Sequence, residues 1–449
     1  MFFFRIIALF IFSYAYCYQG ELISFEYMDS MDIDEIQNNL DNDFGNYAPE
    51  ALYDISIYKI IYETIDPFGN TTLASGVISF PENINQAFPI LSFQHGTVVA
   101  RDNVSSENGF NALSLWLTST GYIYIEPDYL GLGESEIMHP YCLKDPSAWA
   151  VIDMIRASKE FFINSSDIQS NDELILAGYS EGGYVTMAAH MLIEQETNDE
   201  FNLVVSFPMA GPYDLSGVMV DLMLDFEPYD EPFYLPYTLI SYITYYQMGS
   251  LSDYFLPEYA EMFEYLFNGN YSGSYINSLL PDIPISVMLP SVIEDFSYNL
   301  NHPLRLYLSQ NDLWDWAPIN DMYLFHGAAD ELVPYENSVI AFESFIDNGS
   351  EDVFLYTVPE ELGGHQEAAL FCLLSAYQIS EQNYKDIRNI GDLNNDKILN
   401  IQDVLMVINF IINDDLQISD LDLWLSDIDY NGSINVQDLI LLVDIILNN

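Results

Sequence analysis

The sequence predicts an α/β fold with a mainly parallel, buried sheet, followed by a small all-α unit. Three observations carry this reading. Short apolar runs alternate with helical stretches through most of the chain. One interval, about 213–318, interrupts that rhythm with a Tyr-, Phe-, Leu-, Met- and Pro-rich segment. Near the C-terminus an acidic twelve-residue loop occurs twice, 35 residues apart. The 449 residues carry 10 Lys+Arg against 69 Asp+Glu, a net charge of −59. Phosphate backbones and anionic lipid surfaces are bound through basic patches, so nucleic acid is excluded as a partner. A hydrophobic fraction of 50% and an aromatic fraction of 15% exclude a disordered chain. So acidic a surface repels itself unless salt or bound metal ions screen it.

Residues 1–17 hold one charge, Arg5, and an apolar run from Ile6 to Phe12 that is too short to span a bilayer. This is the pattern of a signal peptide, with cleavage after Ala15 or after Cys17. No later stretch reads as a transmembrane span, so the mature protein is expected to be exported and soluble. Cys142 and Cys372 then remain, either as a disulfide or as two buried thiols. Residues 18–385 read as one domain and 386–449 as a second, small unit.

Two alternating segments, ISIYKIIYETI (55–65) and TTLASGVISF (71–80), flank Asp66–Asn70 and predict an antiparallel hairpin. The runs ILSF (90–93), YIYI (122–125), LILA (174–177), LVVSF (203–207), MYLF (322–325) and VFLYTV (353–358) predict further strands. Helical stretches such as 147–162 and 183–196 lie between them, as a parallel sheet requires. The 213–318 insertion reads as a helical cap over an apolar site, or as a peripheral subdomain with a core of its own.

The strand LILA runs directly into Gly178-Tyr179-Ser180-Glu181-Gly182-Gly183 and then into a helix. A G-x-S-x-G turn between strand and helix lifts a serine hydroxyl above the strand ends and places the next amide at a helix N-terminus. Ser180 is therefore the expected nucleophile, and a serine needs a base. Of the six histidines, His365 alone combines a late position, a strand-end loop and flanking Gly363 and Gly364. The third group is expected after the strand MYLF, where Asp330 fits and Glu331 is the local alternative. The loop Phe93-Gln94-His95-Gly96-Thr97 follows the strand ILSF, and the amides of Thr97 and Glu181 are the expected oxyanion donors. His95 is expected to be structural. No cofactor is needed for this chemistry.

The segments FQHGT (93–97), PDYLGLGES (127–135), His139-Pro140-Tyr141, AVIDMIRA (150–157), GYSEGG (178–183), AGPYDLSG (210–217), HGAADELVP (326–334) and GGH (363–365) together resemble α/β-hydrolases of the secretory lipase/esterase type. The resemblance covers roughly residues 50–380. It implies a carboxylic-ester hydrolase with a helical cap and an ester substrate, while the aromatic insertion points to an apolar acyl group. Related branches include serine peptidases of the prolyl oligopeptidase type, whose N-terminal propeller does not fit in this length. A non-catalytic assembly protein with a hydrolase-like body is the reading from another class.

Residues 391–449 contain eleven Asp, no Glu and one basic residue, Lys397. The loops DLNNDKILNIQD (392–403) and DIDYNGSINVQD (427–438) place oxygen side chains at positions 1, 3, 5, 9 and 12. These are Asp392, Asn394, Asp396, Asn400 and Asp403, then Asp427, Asp429, Asn431, Asn435 and Asp438. Position 7 offers a backbone carbonyl, from Ile398 and Ser433, which completes a Ca²⁺ ligand set. The duplicated loop–helix unit resembles a type I dockerin, which implies a cohesin-bearing partner and attachment to a cell surface. Two departures stand out. Lys397 replaces the expected Gly at position 6 and is expected to bring a cation near the ion. Positions 10 and 11 are Ile-Gln and Val-Gln rather than Ser-Thr.

Overall fold

The structure is a computed structural model that describes residues 19–165, 168–413 and 416–448. The expected signal segment lies outside these residues. The strands are β1 (Leu22–Met31), β2 (Ile55–Ile65), β3 (Thr71–Pro81), β4 (Gln86–Gln94), β5 (Ile123–Pro127), β6 (Ser170–Tyr179), β7 (Asn202–Met209), β8 (Asp321–Gly327), β9 (Val353–Val358) and β10 (Arg388–Asn389). All the strands expected from the sequence are present. Their order is β1-β2-β3-β5-β4-β6-β7-β8-β9, and β10 pairs with β4.

β1, β2, β3 and β5 pair antiparallel, whereas β5, β4, β6, β7, β8 and β9 pair parallel. The β2–β3 hairpin turns at Asp66, whose carboxylate takes the amides of Phe68 and Asn70. After β4 the chain goes to one side for β5 and returns to the other side for β6. The sheet thus reverses direction between β4 and β6, and in such sheets the ends of the flanking strands form a natural binding crevice.

Two apolar cores cover the faces of the sheet. One holds Ile90, Leu174 and Leu176 under the helices Lys144–Asn164 and Glu181–Glu196 and extends into the 213–318 region. The other holds Leu91, Ile175 and Phe207 under the helix His365–Asn383. Successive strand residues face opposite cores, and both faces are dry, which is why these strands read as continuous apolar runs. The helix Glu181–Glu196 is buried on nearly every side from Glu181 to Ile193, so it carries little amphipathic pattern.

The 213–318 region is helical, with helices Val218–Met223, Tyr234–Tyr245, Pro257–Leu266, Gly273–Asn277, Pro290–Tyr298 and Pro303–Gln310. Its tyrosines explain its composition. Tyr237 donates to Val98 O at 3.1 Å, Tyr242 to Cys142 O at 2.9 Å and Tyr229 to Leu332 O at 2.9 Å. Tyr245 donates to Met138 O. Each ring fills apolar space while its hydroxyl donates to a loop carbonyl. The cap is thereby pinned to the loops that surround the strand ends.

The C-terminal segment forms helices Ile401–Ile412, Asp420–Ser426 and Val436–Asn448 around a small core of Leu393, Val404, Val407, Leu425 and Leu442. It touches the body through Gln86 Nε2, which donates to Asn389 Oδ1 at 2.8 Å, and Tyr430 Oη, which donates to Asn85 Oδ1 at 2.9 Å. Cys142 and Cys372 are both free and buried. Among the described residues no helix is long and apolar enough to cross a membrane.

Candidate active site

The glycines around Ser180 are there because the backbone leaves no room for a side chain. A Cβ at Gly178 would lie 2.3 Å from Gly182 O, one at Gly182 would lie 1.9 Å from Gln94 O, and one at Gly183 would lie 2.2 Å from Met209 O. β4, β6 and β7 therefore press directly against the start of the following helix. Ser180 adopts φ 62° and ψ −123°, a left-handed conformation costly for a non-glycine residue. Its amide donates to Met209 O at 2.9 Å, which holds the turn in place.

Three residues far apart in sequence meet above the strand ends. His365 Nε2 lies 2.9 Å from Ser180 Oγ, and His365 Nδ1 lies 2.6 Å from Asp330 Oδ2. Both nitrogens lie in hydrogen-bonding range, so a ring with its proton on Nδ1 donates to Asp330 and accepts from Ser180. One expectation is corrected here. His365 does not sit in a flexible loop but is the first residue of the helix His365–Asn383, after the turn at Gly363, whose φ is 103°. The helix anchors the ring more firmly than a loop would.

Asp330 is satisfied on every side. Its Oδ1 accepts from the amides of Leu332 and Val333 at 3.0 and 2.8 Å. Its Oδ2 faces His365 Nδ1 and, at 3.2 Å, His326 Nε2. Burial raises the Asp330 carboxyl, but hydrogen bonds from His326 and His365 outweigh that and hold it down at about 2. The neighbouring acid Glu331 reaches the backbone amide of His365 rather than its ring, at 3.1 Å.

His326 was not singled out in the sequence. It lies four residues before Asp330 at the end of β8, and its Nδ1 is 2.7 Å from Ser338 Oγ while its Nε2 is 2.8 Å from Val333 O. A carbonyl acceptor fixes Nε2 as the protonated nitrogen, which also lies 3.2 Å from Asp330 Oδ2. The i, i+4 spacing of His326 and Asp330 across a turn was the available signal. His95 is structural as expected, with Nδ1 2.7 Å from Gly96 O and its ring against Tyr129 at 4.2 Å.

Glu181 opens the helix that follows Ser180, so its N–H has no acceptor within that helix. The 95–97 loop runs beside the nucleophile turn: a Cβ at Gly96 would lie 3.8 Å from Ser180 Cβ. Thr97 Oγ1 is 3.0 Å from Tyr141 Oη. A cleft opens beside Ser180 and Glu181, lined mostly by apolar groups, among them Met219, Leu222, Met223 and Leu332. Burial raises the Cys142 thiol well above its ordinary range on the wall of the same cleft.

In the C-terminal loops the predicted ligands gather unequally. Carboxylate oxygens of Asp427, Asp429 and Asp438 lie within 4.8 Å of one another. In the first loop Asp392 Oδ1 is buried without a partner, while Asp403 accepts from Leu393, Asn394 and Asn400 amides. The carbonyls of Ile398 and Ser433 accept from Asn400 Nδ2 and Asn435 Nδ2 at 2.9 and 3.0 Å. Asn394 and Asp396 sit at the rim of the first loop and are hydrogen-bonded to each other, and Asn431 donates its amide to Asp427 in the second. The expectation for Lys397 is corrected. Its ammonium turns outward to Asp386 Oδ1, Ile387 O and Asn395 Oδ1, at 2.7, 2.8 and 2.7 Å. It adopts φ 65°, close to the 82° of Gly432 at the equivalent position. An all-oxygen set with converging carboxylates fits a hard cation.

Residues 109–205 match the secretory lipase family. No curated protein gives a significant match. Among solved structures, the chain is similar to the rice cell wall degrading esterase LipA from Xanthomonas oryzae, with 28% identity and a TM-score of 0.73 over 82% of this chain and 98% of that one. A putative hydrolase from Legionella pneumophila gives 28% identity and a TM-score of 0.74, over 81% and 99%. Candida antarctica lipase A shares the fold at 16% identity, with a TM-score of 0.60 over 81% and 82%. The chain has the α/β-hydrolase fold and is a carboxylic ester hydrolase of the lipase/esterase kind.

Proposed function

We propose that the chain cleaves esters through an acyl-enzyme on Ser180. The observation that carries this is the continuous hydrogen-bonded chain Ser180–His365–Asp330 over an apolar cleft. His365 takes the hydroxyl proton as Ser180 Oγ attacks the ester carbonyl, and then gives it to the departing alcohol. Asp330, held ionised, orients the ring and stabilises its transient charge. The amides of Thr97 and Glu181 hold the oxyanion, where a helix N-terminus adds favourable partial charge. Water then attacks the acyl-enzyme by the same route in reverse.

The apolar cleft supports an acyl chain as the buried part of the substrate. Export through the segment 1–17 agrees with the likeness to the secretory lipase family. Ca²⁺ binding by the C-terminal loops is supported by the converging carboxylates of Asp427, Asp429 and Asp438 and by the unpaired buried oxygen of Asp392. The ion would neutralise those acids and cross-link each loop; it has no part in the ester chemistry.

A dockerin-like attachment to a cohesin-bearing partner is supported by a duplicated apolar surface. Ile401, Leu405 and Ile412 on one helix and Val436, Ile440 and Leu447 on the other are all exposed, each pair 35 residues apart. Likeness to a cell wall degrading esterase and an attachment unit together support an ester carried on a polysaccharide matrix.

A panel of p-nitrophenyl esters of increasing chain length, with matched p-nitroanilides, tests the reading. Esters should be cleaved and anilides not, and Ser180→Ala should lower ester turnover by at least about 10³-fold while the fold is retained. Full activity in Ser180→Ala would overturn the assignment, and preferred anilide cleavage would favour the peptidase reading.

A further inference from the structure

Position 181 sets an acid directly beside the nucleophile, and the geometry shows how it is tolerated. Glu181 is only 2% exposed. Its Oε1 lies 2.6 Å from His139 Nε2, and its Oε2 is buried with no hydrogen-bond partner among the described residues. His139 Nδ1 lies 2.7 Å from Leu130 O. A carbonyl only accepts, so Nδ1 carries a hydrogen. One more proton must then lie between Nε2 and Oε1 at that separation. An imidazolium facing a carboxylate and an imidazole facing a carboxylic acid have the same sum of charge, zero. The pair is therefore neutral as a unit.

The ring is fixed in place. Tyr129, Tyr141 and Tyr237 surround it at 6.0, 6.0 and 5.8 Å. Tyr129 and Tyr141 come from the loop after β5, and Tyr237 comes from the cap. The titratable groups facing the pair are these three with Cys142 and Tyr234, and burial raises all five. They stay uncharged through neutral pH. On the other side of Ser180 stand His365 and Asp330.

We propose that His139 is a positioning residue for the ester reaction, pairing with the Glu181 side chain so that no uncompensated charge stands beside the amide of Glu181 as it receives the oxyanion. A bare carboxylate on the residue that supplies this amide would oppose the negative charge of the tetrahedral intermediate across a poorly screened interior. The pair also ties the loop after β5 to the start of the nucleophile helix. The inference rests on the reading of Ser180 as nucleophile and the Glu181 amide as oxyanion donor.

The test uses the full chain with a p-nitrophenyl ester from about pH 6 to about pH 9, after Ser180→Ala has been shown to abolish turnover. His139→Gln should lower kcat about 10- to 100-fold with KM within about twofold, because the defect lies in the transition state. Adding Glu181→Gln to His139→Gln should recover at least about tenfold in kcat. A deficit that the second substitution does not relieve would mark His139 as merely structural and overturn the proposal. Selective ¹⁵N-histidine NMR of the unaltered chain gives an independent readout, since only six histidines contribute. One histidine should show a protonated Nδ1 and a far-downfield shared proton at Nε2, and His139→Gln should remove that signal. Absence of the signal overturns the proposal even if the substituted proteins do not fold. Turnover persisting in Ser180→Ala would instead sink the underlying reading of the site.

Discussion

The molecule holds two acidic centres that treat their carboxylates in opposite ways. Asp330 is completed by the protein, with two amides on one oxygen and two histidines on the other. The C-terminal loops are left incomplete, with three carboxylates converging in one and an unpaired buried oxygen in the other. Like charges brought together without a cation repel, and a buried carboxylate oxygen without a donor is costly. The first centre is therefore preorganised by protein atoms alone. The second has carboxylates that protein atoms leave uncompensated, as the proposed Ca²⁺ site requires.

The sharpest way to break this contrast is to disturb Asp330. Asp330→Asn keeps the shape but no longer dictates which nitrogen of His365 is protonated, and kcat on a p-nitrophenyl ester should fall about 10³- to 10⁴-fold. A loss under about tenfold would mean that Glu331 carries the role. Smaller effects belong to the loops. Titrating Ca²⁺ into the metal-stripped full chain by calorimetry should reveal binding, and Asp438→Asn should weaken the second site about 10- to 100-fold. Chelation should lower the melting temperature of the C-terminal segment and leave ester turnover within about twofold, since no catalytic step passes through the ion. Unchanged melting and absent binding heat would show that the loops are ordinary acidic turns.

The contrast also explains what could be read in advance. Ser180, Asp330 and His365 were legible because each lies just beyond an apolar strand and because the turn at Ser180 needs glycines that only close packing demands. The C-terminal loop residues stand out in the sequence because they recur at one spacing. What stayed hidden depends on contacts between distant segments. β1 buries no residue fully and the helix Ile33–Phe44 buries only Ile36 and Leu40, so both gain order from contacts outside themselves, β1 by pairing with β2. The partnership of His139 with Glu181 joins residues 42 apart across two loops, and no local pattern announces it. The outward path of the Lys397 side chain likewise depends on Asp386 and Ile387, outside its own loop.

The central claim is that Ser180 is activated by His365 and forms a covalent acyl-enzyme. Incubating the folded chain with a fluorophosphonate and mapping the adduct by peptide mass measures this directly. One adduct on Ser180 is expected, formed rapidly by the native protein, far more slowly by Asp330→Asn, and not at all after thermal unfolding. A folded, ester-cleaving chain that takes no adduct, or takes it on a different serine, would contradict the account.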